Sequence, residues 1–400
     1  MKKHVEHLWQ IANKSERRIV GLMSGTSLDG LDLALCRIRG VGRQTQLVTE
    51  QFITLPYTET FRKEVRKVFS VKEGNIELLV LLNTFIGKMH GKMVADTLRQ
   101  WEISPTDIDL IASHGQTIYH APAFLHPDSG YENATLQIGD GDHLAMTTGI
   151  ITVSDFRLKH IAAGGEGAPL AVYGDYLIFS DEFENRVMLN IGGIANFTWL
   201  PSTALAHQAP GFSTDVGPGN TMMDAYMQKH LGMACDLNGE LAASGTVHPL
   251  LLEHLLSDPF FRASLPKTIG PELFNLTYLE KALGRVGGEL SHADVMATLN
   301  QFSAEGIILT LKQSLGSIQN WVVYGSGGGI HNPVLMRHLK HSFPENVFKN
   351  TNELGVEPDA KEAVLFALLA NECIAGDGLG SNLFKEGMPD ISMGKISFPG

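Results

Sequence analysis

The stretch Gly21-Leu22-Met23-Ser24-Gly25-Thr26-Ser27-Leu28-Asp29-Gly30-Leu31-Asp32 decides how this chain begins to fold. The apolar run before it predicts a short buried strand, and the alternating run after it, over 31–38, predicts a second strand. Between them lies a turn of glycine, serine, threonine and aspartate. Because glycine lets an anion approach the backbone closely, this hairpin is suited to surround a phosphate with N–H groups and hydroxyls.

Two familiar phosphate motifs do not describe this turn. A P-loop needs a lysine after its second glycine and then a helix, whereas Leu31 follows Gly30 and the next segment is predicted as strand. A dinucleotide fingerprint needs three spaced glycines that open a helix. The alternative is an ordinary hairpin, because Asp29-Gly30 is a strong turn signal by itself.

Composition and charge narrow the class of protein. The chain has 400 residues, 44% of them hydrophobic and 18% charged, with 42 glycines, which favours a tightly turned α/β enzyme of two or three compact units. The net charge of −12 argues against nucleic acid as a partner. The three cysteines lack metal-ligand spacing and fit a reducing compartment.

The sequence offers neither a secretory signal nor a membrane span. The N-terminus has positive charge but no apolar run behind it. The segment 76–101 is predicted to be an amphipathic helix, with Leu78, Leu82, Phe85 and Met89 facing inward. We therefore expect a cytoplasmic protein that contacts no membrane.

A second hairpin is predicted in the middle of the chain. Apolar runs flank Gly192-Gly193 on both sides, and 167 residues separate Gly25 from Gly192. This spacing is too long for a solenoid repeat but suits a duplicated domain in which each copy opens on a hairpin. Two unrelated hairpins are the alternative.

The interdomain hinge is placed by loop content, because no low-complexity linker marks a boundary. The glycine-rich loop near 155–169 is the best candidate. We therefore expect an N-terminal lobe of residues 1–155 plus about 376–400, and a C-terminal lobe of residues 156–375.

Polar and glycine-rich segments follow several predicted strands, which is where open α/β sheets bind ligands. Phosphoryl transfer needs a phosphate cradle, a metal, and a carboxylate that takes a proton from the attacking hydroxyl. The first hairpin turn can supply one cradle, and Asn190–Gly193 can supply a second. Asp29 or Asp32 can hold Mg²⁺ through water. The glycines of 325–329 leave a flat surface suited to a purine or a ribose.

Asp215 is the candidate general base. It precedes a glycine-proline-glycine turn at the entrance of a helix predicted from Thr221 to His230, where a carboxylate is held stiffly. A helix cap is the alternative, but Asn220 is better placed for that role.

Two further residues have open interpretations. His114 follows a predicted strand and is either a base, a substrate ligand or a hydrogen-bonded structural residue. Glu362 lies three residues after Asp359, which also fits a capping box.

Nine sequence motifs occur in order along roughly residues 20–400. They are Gly21–Gly30, Ser113-His114-Gly115-Gln116-Thr117, Gln137-Ile138-Gly139, Asp155-Phe156-Arg157, Gly164–Leu170, Asn190–Gly193, Asp215–Asn220, Lys361-Glu362-Ala363 and Phe366-Ala367. With these motifs the chain resembles the anhydro-N-acetylmuramic acid kinase family, within the superfamily of sugar kinases, heat-shock proteins and actin.

The resemblance implies an α/β fold of two actin-like (ribonuclease H-like) lobes with a central nucleotide and sugar cleft. It also implies ATP and Mg²⁺ as cofactors and 1,6-anhydro-N-acetylmuramic acid as the substrate. A water would open the anhydro bridge while O6 takes the phosphoryl group, and the product would be N-acetylmuramic acid 6-phosphate, in cell-wall recycling.

The predicted site combines these implications with the residue patterns. Asp215 is the catalytic base, and Asp29 and Asp32 are the metal-binding candidates. The predicted sugar-contacting residues are His114, Thr117, Arg157, Lys159 and Glu362. The predicted nucleotide-contacting residues are Ser24, Gly25, Thr26, Ser27, Leu28, Asp29, Gly30, Leu31, Asp32, Asn190, Gly192, Gly193, Gly217, Gly219, Asn220, Gly327 and Gly328.

One departure from the family pattern bears on the sugar. Lys159-His160 stands where many members have Arg-Asp, and Glu166 stands where Gln is usual. Lysine keeps the positive charge but loses the bidentate geometry of arginine. Two alternatives stay open: a levoglucosan-type kinase on the same scaffold, and an ATP-driven binding module. A small-molecule sugar is the expected partner, and a homodimer is left open.

Overall fold

The computed structural model describes residues 2–25, 28–123, 126, 129–167, 170–206, 211–270, 273–355, 357, 360–377 and 391–400. Two compact units share the chain. Unit 1 comprises Met1–Phe179 and Asp359–Gly400, and unit 2 comprises Ser180–Pro358. The chain thus leaves unit 1 once and returns to it.

Unit 1 is a mixed sheet with helices. Its strands run in the order β3-β2-β1-β4-β6-β12, and β5 pairs with β4. The first three strands are antiparallel neighbours, whereas β4 is parallel to β1 and to β6. The elements are α1 (Lys2–Ala12), β1 (Glu16–Ser24), β2 (Gly30–Arg39), β3 (Gln46–Pro56), α2 (Glu59–Arg66), α3 (Ile76–Gln100), β4 (Leu110–Ala121), β5 (Ala134–Ile138), α4 (Gly141–Thr148), β6 (Thr152–Ser154), α5 (Phe156–Ala162), α6 (Ala171–Phe179), α13 (Lys361–Ala375) and β12 (Lys395–Ser397).

Helix α13 packs directly on β1, the strand that leads into the first hairpin turn. A Cβ at Gly21 would collide with the carbonyl oxygen of Ala363, so glycine is needed for this close approach. Residues Phe366 to Ala370 of α13 are buried in a core shared with Ile19 and Phe156. The start of α13 is therefore fixed relative to β1 by packing.

Unit 2 repeats the arrangement. Its strands run in the order β9-β8-β7-β10-β11. Strands β7, β8 and β9 are antiparallel neighbours, and β10 is parallel to both β7 and β11. The elements are β7 (Asn185–Ile191), β8 (Ile194–Leu200), β9 (Phe212–Pro218), α7 (Thr221–Leu231), α8 (Glu240–Ser244), α9 (Pro249–Leu256), α10 (Leu276–Val286), α11 (His292–Leu315), β10 (Trp321–Ser326), α12 (Pro333–Ser342) and β11 (Val347–Asn350).

Both sheets therefore place a three-stranded antiparallel hairpin series beside two parallel strands, in the order 3-2-1-4-5 that is typical of ribonuclease H-like folds. Each unit opens its sheet with a predicted hairpin, β1–β2 in unit 1 and β7–β8 in unit 2. The predicted α/β class with duplicated units is confirmed.

The unit bounds differ from those expected at 155 and 375. Helices α5 and α6 contribute Phe156, Val172 and Leu177 to the core of unit 1. Helix α13 also lies in this core, with residues 363–370 buried there. Apolar burial, rather than the glycine-rich loop, sets the boundary.

Helix α3 confirms the predicted helix but not all of its inward face. Leu82 is buried, whereas Phe85 is 53% exposed. Among the described residues, no helix combines the length and the apolar character that a membrane span needs.

Candidate functional site

The first hairpin turn carries a residue in an unusual backbone conformation. Leu28 has φ of +59°, and its N–H donates to the Gly25 carbonyl at 3.3 Å. A non-glycine residue in the left-handed region costs about 1–3 kcal/mol, so its surroundings must hold it there. The Leu28 side chain is packed in the core of unit 1 and is only 2% exposed, and this packing holds the backbone in that conformation. Thr26 and Ser27 lie outside the described residues.

Several predicted nucleotide contacts in this turn have side chains that point into the protein. Ser24 is 1% exposed and Leu31 is fully buried. Gly30 lies against β3, because a Cβ there would be 2.6 Å from the Leu55 carbonyl oxygen. The side chains of Ser24, Leu28 and Leu31 therefore do not reach a ligand directly, and the glycine at position 30 is explained by strand pairing.

Arg157 and His114 form a buried pair in unit 1. The Arg157 Nε donates to His114 Nε2 at 2.9 Å, so His114 carries its proton on Nδ1, which lies 2.9 Å from the Gly115 carbonyl. Burial, reinforced by the Arg157 charge, lowers the pKa of His114 to about 3. His114 is therefore neutral and accepts from Arg157, which does not fit the general-base interpretation.

Arg157 is held in a second direction by the glycine-rich loop. Its Nη1 donates to the Gly167 carbonyl at 2.7 Å. Burial lowers the pKa of Arg157 to about 10, and the charge of Glu362 opposes that shift, so the guanidinium stays charged at neutral pH. Among the described residues no hydrogen bond engages Nη2, which leaves donors for an anionic group.

Glu362 lies at the start of α13. The helix begins at Lys361 with Ala360 as its N-cap, so Glu362 is not at the third helical position and the capping-box alternative is wrong. Glu362 is exposed by surface area, yet the density of protein atoms around its carboxylate raises its pKa. Arg157 opposes this shift, whereas the negative charges of Asp32 and Asp29 add to it.

Asp29 and Asp32 thus share one electrostatic neighbourhood with Glu362. Asp32 Oδ1 accepts from Thr54 Oγ1 at 2.6 Å, and Asp29 Oδ1 accepts from the Gly30 N–H at 3.1 Å. Oxygen donors of this kind suit Mg²⁺, which is usually held by one or two carboxylates together with phosphate oxygens and water. Over the described ranges, no group of three His, Cys, Asp or Glu side chains is arranged to hold a metal.

Lys159 does not join the predicted sugar-contacting group. It is exposed, and its charge acts on Cys373, far along α13 from Glu362. Lys159 lies two residues after Arg157 on α5. Side chains two positions apart on a helix point to nearly opposite sides of it. The structure therefore separates these two predicted cations.

His160 and Thr117 make hydrogen bonds within unit 1. His160 is buried and accepts from the Gly167 N–H at 2.8 Å, so it holds the glycine-rich loop that Arg157 also contacts. Thr117 lies on β4, and its Oγ1 accepts from Gln137 Nε2 at 3.3 Å. Sequence reasoning noted His160 only as a departure, although its place beside a glycine-rich loop was the available signal.

Three predicted nucleotide segments converge in unit 2. The N–H groups of Gly219 and Asn220 each donate to the second hairpin turn, to Gly193 and Gly192 carbonyls at 2.8 Å. Gly219 needs to be glycine, because a Cβ there would collide with the Gly192 carbonyl oxygen. The turn 192–193 is thereby joined to the first residues of α7.

The third segment follows β10. Gly327 has φ of +82°, and a Cβ there would lie 2.7 Å from Asn190 Oδ1. A Cβ at Gly328 would lie 3.7 Å from Asn220 Nδ2. The glycines thus bring the backbone after β10 against 190–193 and the start of α7. The structure brings together Asn190, Gly192, Gly193, Gly219, Asn220, Gly327 and Gly328, whereas a Cβ at Gly217 would face Phe261 and Gly306.

Asp215 lies within β9, and Gly217 and Pro218, which were predicted to form a turn, still belong to that strand. Its Oδ2 accepts from the Ile269 N–H at 2.8 Å, and among the described residues no hydrogen bond engages its Oδ1. Desolvation raises the pKa of Asp215 to about 6, although the Ile269 hydrogen bond opposes the shift. The helix after it begins at Thr221 with Asn220 as its N-cap, so Asp215 is not a helix cap. A half-buried carboxylate of this pKa is a base at neutral pH.

Comparison with known proteins identifies the family. The family model described as anhydro-N-acetylmuramic acid kinase matches residues 17–387. A protein of that name from Pseudoalteromonas atlantica is 52% identical over 402 residues, covering 100% of both chains. Its namesake from Caldanaerobacter subterraneus subsp. tengcongensis is 37% identical over 399 residues, covering 98% of this chain and 100% of that one. The Neisseria meningitidis serogroup C protein is 38% identical over 352 residues, covering 88% and 90%.

Similarity to solved structures is weaker. An activator of the 2-hydroxyisocaproyl-CoA dehydratase from Clostridium difficile is 12% identical, with a TM-score of 0.40, and the match covers 89% of this chain and 95% of that one. The assignment therefore rests on the sequence relatives and the family model. The chain belongs to the anhydro-N-acetylmuramic acid kinase family and is a carbohydrate kinase.

Proposed function

We propose that this protein uses ATP and water to convert 1,6-anhydro-N-acetylmuramic acid into N-acetylmuramic acid 6-phosphate. The observation that carries the proposal is Asp215, a carboxylate whose pKa is raised to about 6 and whose Oδ1 is unengaged among the described residues. Such a group takes a proton from water at neutral pH more readily than an ordinary aspartate does. The names of the relatives supply the substrate class.

The proposed reaction combines hydrolytic opening of the anhydro bridge with transfer of the γ-phosphoryl group to O6. Asp215 removes a proton from a water molecule, and the water oxygen bonds to the anomeric carbon C1. The bond between C1 and O6 breaks, and its electron pair passes to O6. O6 then bonds to the γ-phosphorus as the bond to the β–γ bridging oxygen breaks, which releases ADP. The proton held by Asp215 returns to solvent.

Within unit 1, Arg157 and Glu362 are the proposed sugar-holding groups. The lactyl carboxylate of the sugar needs a cation, and the charged guanidinium of Arg157 retains donors at Nη2. Glu362 can accept from sugar hydroxyls, with its charge balanced by Arg157. His114 acts on the sugar only through Arg157, whose guanidinium it orients.

The proposed nucleotide contacts lie in both units. In unit 1 the backbone of the 25–30 turn would hold phosphate oxygens, and Asp29 and Asp32 would hold Mg²⁺ through water. When bound, Mg²⁺ neutralises charge on the phosphate oxygens. In unit 2 the proposed nucleotide contacts are the 190–193 turn, the start of α7 and Gly327-Gly328.

We also propose a cytoplasmic location and a role in recycling cell-wall sugars. Cys36, Cys235 and Cys373 are all free thiols in the structure, which fits a reducing compartment.

A sugar panel with ATP tests the proposal. The panel contains 1,6-anhydro-N-acetylmuramic acid, the same sugar without its lactyl group, levoglucosan and N-acetylmuramic acid, and mass spectrometry reads the products. We expect the first sugar to react best and to gain one phosphoryl group and one water. Preference for levoglucosan, or phosphorylation without gain of water, would contradict the proposal. Rapid ATP turnover that no sugar changes would favour an ATP-driven binding module.

A further inference from the structure

Four buried side chains in unit 1, His90, Tyr57, Ser24 and Gln116, are joined in a chain by hydrogen bonds. The contacts of Gln116 determine which atom donates at each step. Gln116 is fully buried, and its Nε2 lies 3.2 Å from the carbonyl oxygens of both Gly25 and Thr117. Carbonyl oxygens only accept, so the amide nitrogen of Gln116 faces them and its Oε1 faces the other way. Oε1 therefore accepts from the Ser24 hydroxyl, which lies 2.5 Å away.

The same logic extends the chain to helix α3. Because Ser24 spends its single proton on Gln116, its oxygen accepts from the Tyr57 hydroxyl at 2.8 Å. The Tyr57 oxygen in turn accepts from His90 Nε2, also at 2.8 Å. His90 therefore carries a proton on Nε2. Burial lowers the pKa of His90 to about 4, so the ring is neutral at neutral pH and this is its only proton.

Tyr57 also holds the opposite end of the turn. It lies directly after β3, and its backbone N–H donates to the Asp29 carbonyl at 3.0 Å. Its hydroxyl meanwhile bonds Ser24, the last residue of β1. Tyr57 therefore hydrogen-bonds to both ends of the 25–29 turn, and its ring packs between those of Phe61 and His90.

We infer that Tyr57 is a positioning residue for the phosphate-binding turn and that His90 fixes the direction of its hydroxyl; this rests on the proposed function. The Gly25 carbonyl carries a partial negative charge that would repel a phosphate. Gln116 and the Leu28 N–H keep that oxygen engaged, and Ser24 and Tyr57 keep Gln116 oriented. These hydrogen bonds thus hold the turn in a conformation suited to an anion before ATP binds, and none of the four side chains contacts ATP.

Removal of one hydroxyl tests the inference. Tyr57→Phe keeps the ring and the backbone contact to Asp29 but breaks the chain. A lost buried hydrogen bond corresponds to roughly tenfold in an equilibrium constant, so we expect KM for ATP to rise about tenfold while KM for the sugar stays within about twofold. Tyr226→Phe is the matched control, because it removes a phenol hydroxyl that bonds the His292 ring at 2.8 Å in unit 2. We expect it to leave both KM values unchanged.

A double-mutant cycle separates positioning from general destabilisation. If Tyr57 acts through Ser24, Ser24→Ala combined with Tyr57→Phe should bind ATP no more weakly than Ser24→Ala alone. His90→Gln retains an N–H donor and should restore most of the affinity that His90→Leu loses. Additive losses in the cycle, or wild-type KM for ATP in Tyr57→Phe, would overturn the inference.

The readout is chosen so that two failures can be told apart. Calorimetric titration of each variant with ATP alone measures the turn without any sugar. If the wild-type protein binds ATP but phosphorylates no sugar in the panel, the proposed function fails, and the binding constants still decide the role of Tyr57. Equal ATP affinity in wild type and Tyr57→Phe refutes the inference alone.

Discussion

Replacing Asp215 by asparagine should abolish most turnover and at the same time stabilise the protein. The pKa of Asp215 is raised from an ordinary 3.8 to about 6 by desolvation. A shift of roughly two pKa units means that the folded state holds the charged form at a cost of about 3 kcal/mol at pH 8. Asparagine removes this charge, and its carbonyl oxygen can still accept from the Ile269 N–H. Because the new amide group also needs a partner, we expect a net gain of about 1–3 kcal/mol.

The sign of the pH dependence follows from the raised pKa. An acid whose folded pKa exceeds its unfolded pKa costs most stability above the folded value, and the cost fades as pH falls toward the unfolded value. With the two pKa values at about 6 and 3.8, the cost at pH 5 is about half of that at pH 8. The stability advantage of Asp215→Asn should therefore fall by about 1.4 kcal/mol between pH 8 and pH 5, because the cost of the amide group does not depend on pH.

Urea denaturation at both pH values measures this advantage. Two of the four tryptophans, Trp199 and Trp321, are buried in the core of unit 2, so tryptophan fluorescence reports unfolding of the unit that holds Asp215. Glu253→Gln is the control, because it removes one exposed charge from the same unit. Turnover should fall by about 10²–10⁴-fold in Asp215→Asn and stay unchanged in the control. An Asp215→Asn protein that is less stable than wild type at pH 8, or that retains near-normal turnover, would refute the reasoning.

Three further outcomes are expected. Arg157→Lys loses the bond to His114, so KM for the sugar should rise about tenfold in steady-state assays while KM for ATP stays unchanged; equal KM values for the sugar would contradict this. Gly327→Ala places a Cβ 2.7 Å from Asn190 Oδ1 at a φ of +82°, so calorimetry should show weaker ATP binding, and unchanged affinity would remove this loop from the nucleotide site. The turnover number should fall about tenfold per pH unit below pH 6 and level off above it, as Asp215 is protonated, and a flat profile down to pH 5 would argue against this base.

The sequence predicted the backbone of the molecule better than the direction of its side chains. Both hairpins could be identified because alternation of apolar residues around glycine-rich turns is a local signal. The inward orientation of Ser24 could not, since it depends on Gln116, which lies far away in the chain and reaches Ser24 only when β4 pairs with β1. Tyr57 was missed for the same reason, because nothing local marks a tyrosine after a strand as a clamp.

Two errors have simple geometric causes. Lys159 was predicted to contact the sugar because it stands where the family pattern has a cation, but the helical period of α5 turns it away from Arg157. Phe85 was assigned to the inward face of α3 from its hydrophobicity, although a large apolar side chain on a long helix can remain exposed. The pKa of Asp215 was also beyond sequence reasoning, since it depends on the desolvation of one strand position.

The return of the chain to unit 1 has a consequence for biosynthesis. Helix α13 supplies much of the core beneath β1, yet it is made only after all of unit 2. Unit 2 is contiguous, so it can complete its fold on the ribosome while the earlier-made strands of unit 1 still lack their covering helix. The segment translated first is thus the last to become native, and chaperones that shield apolar surface should matter most during that interval.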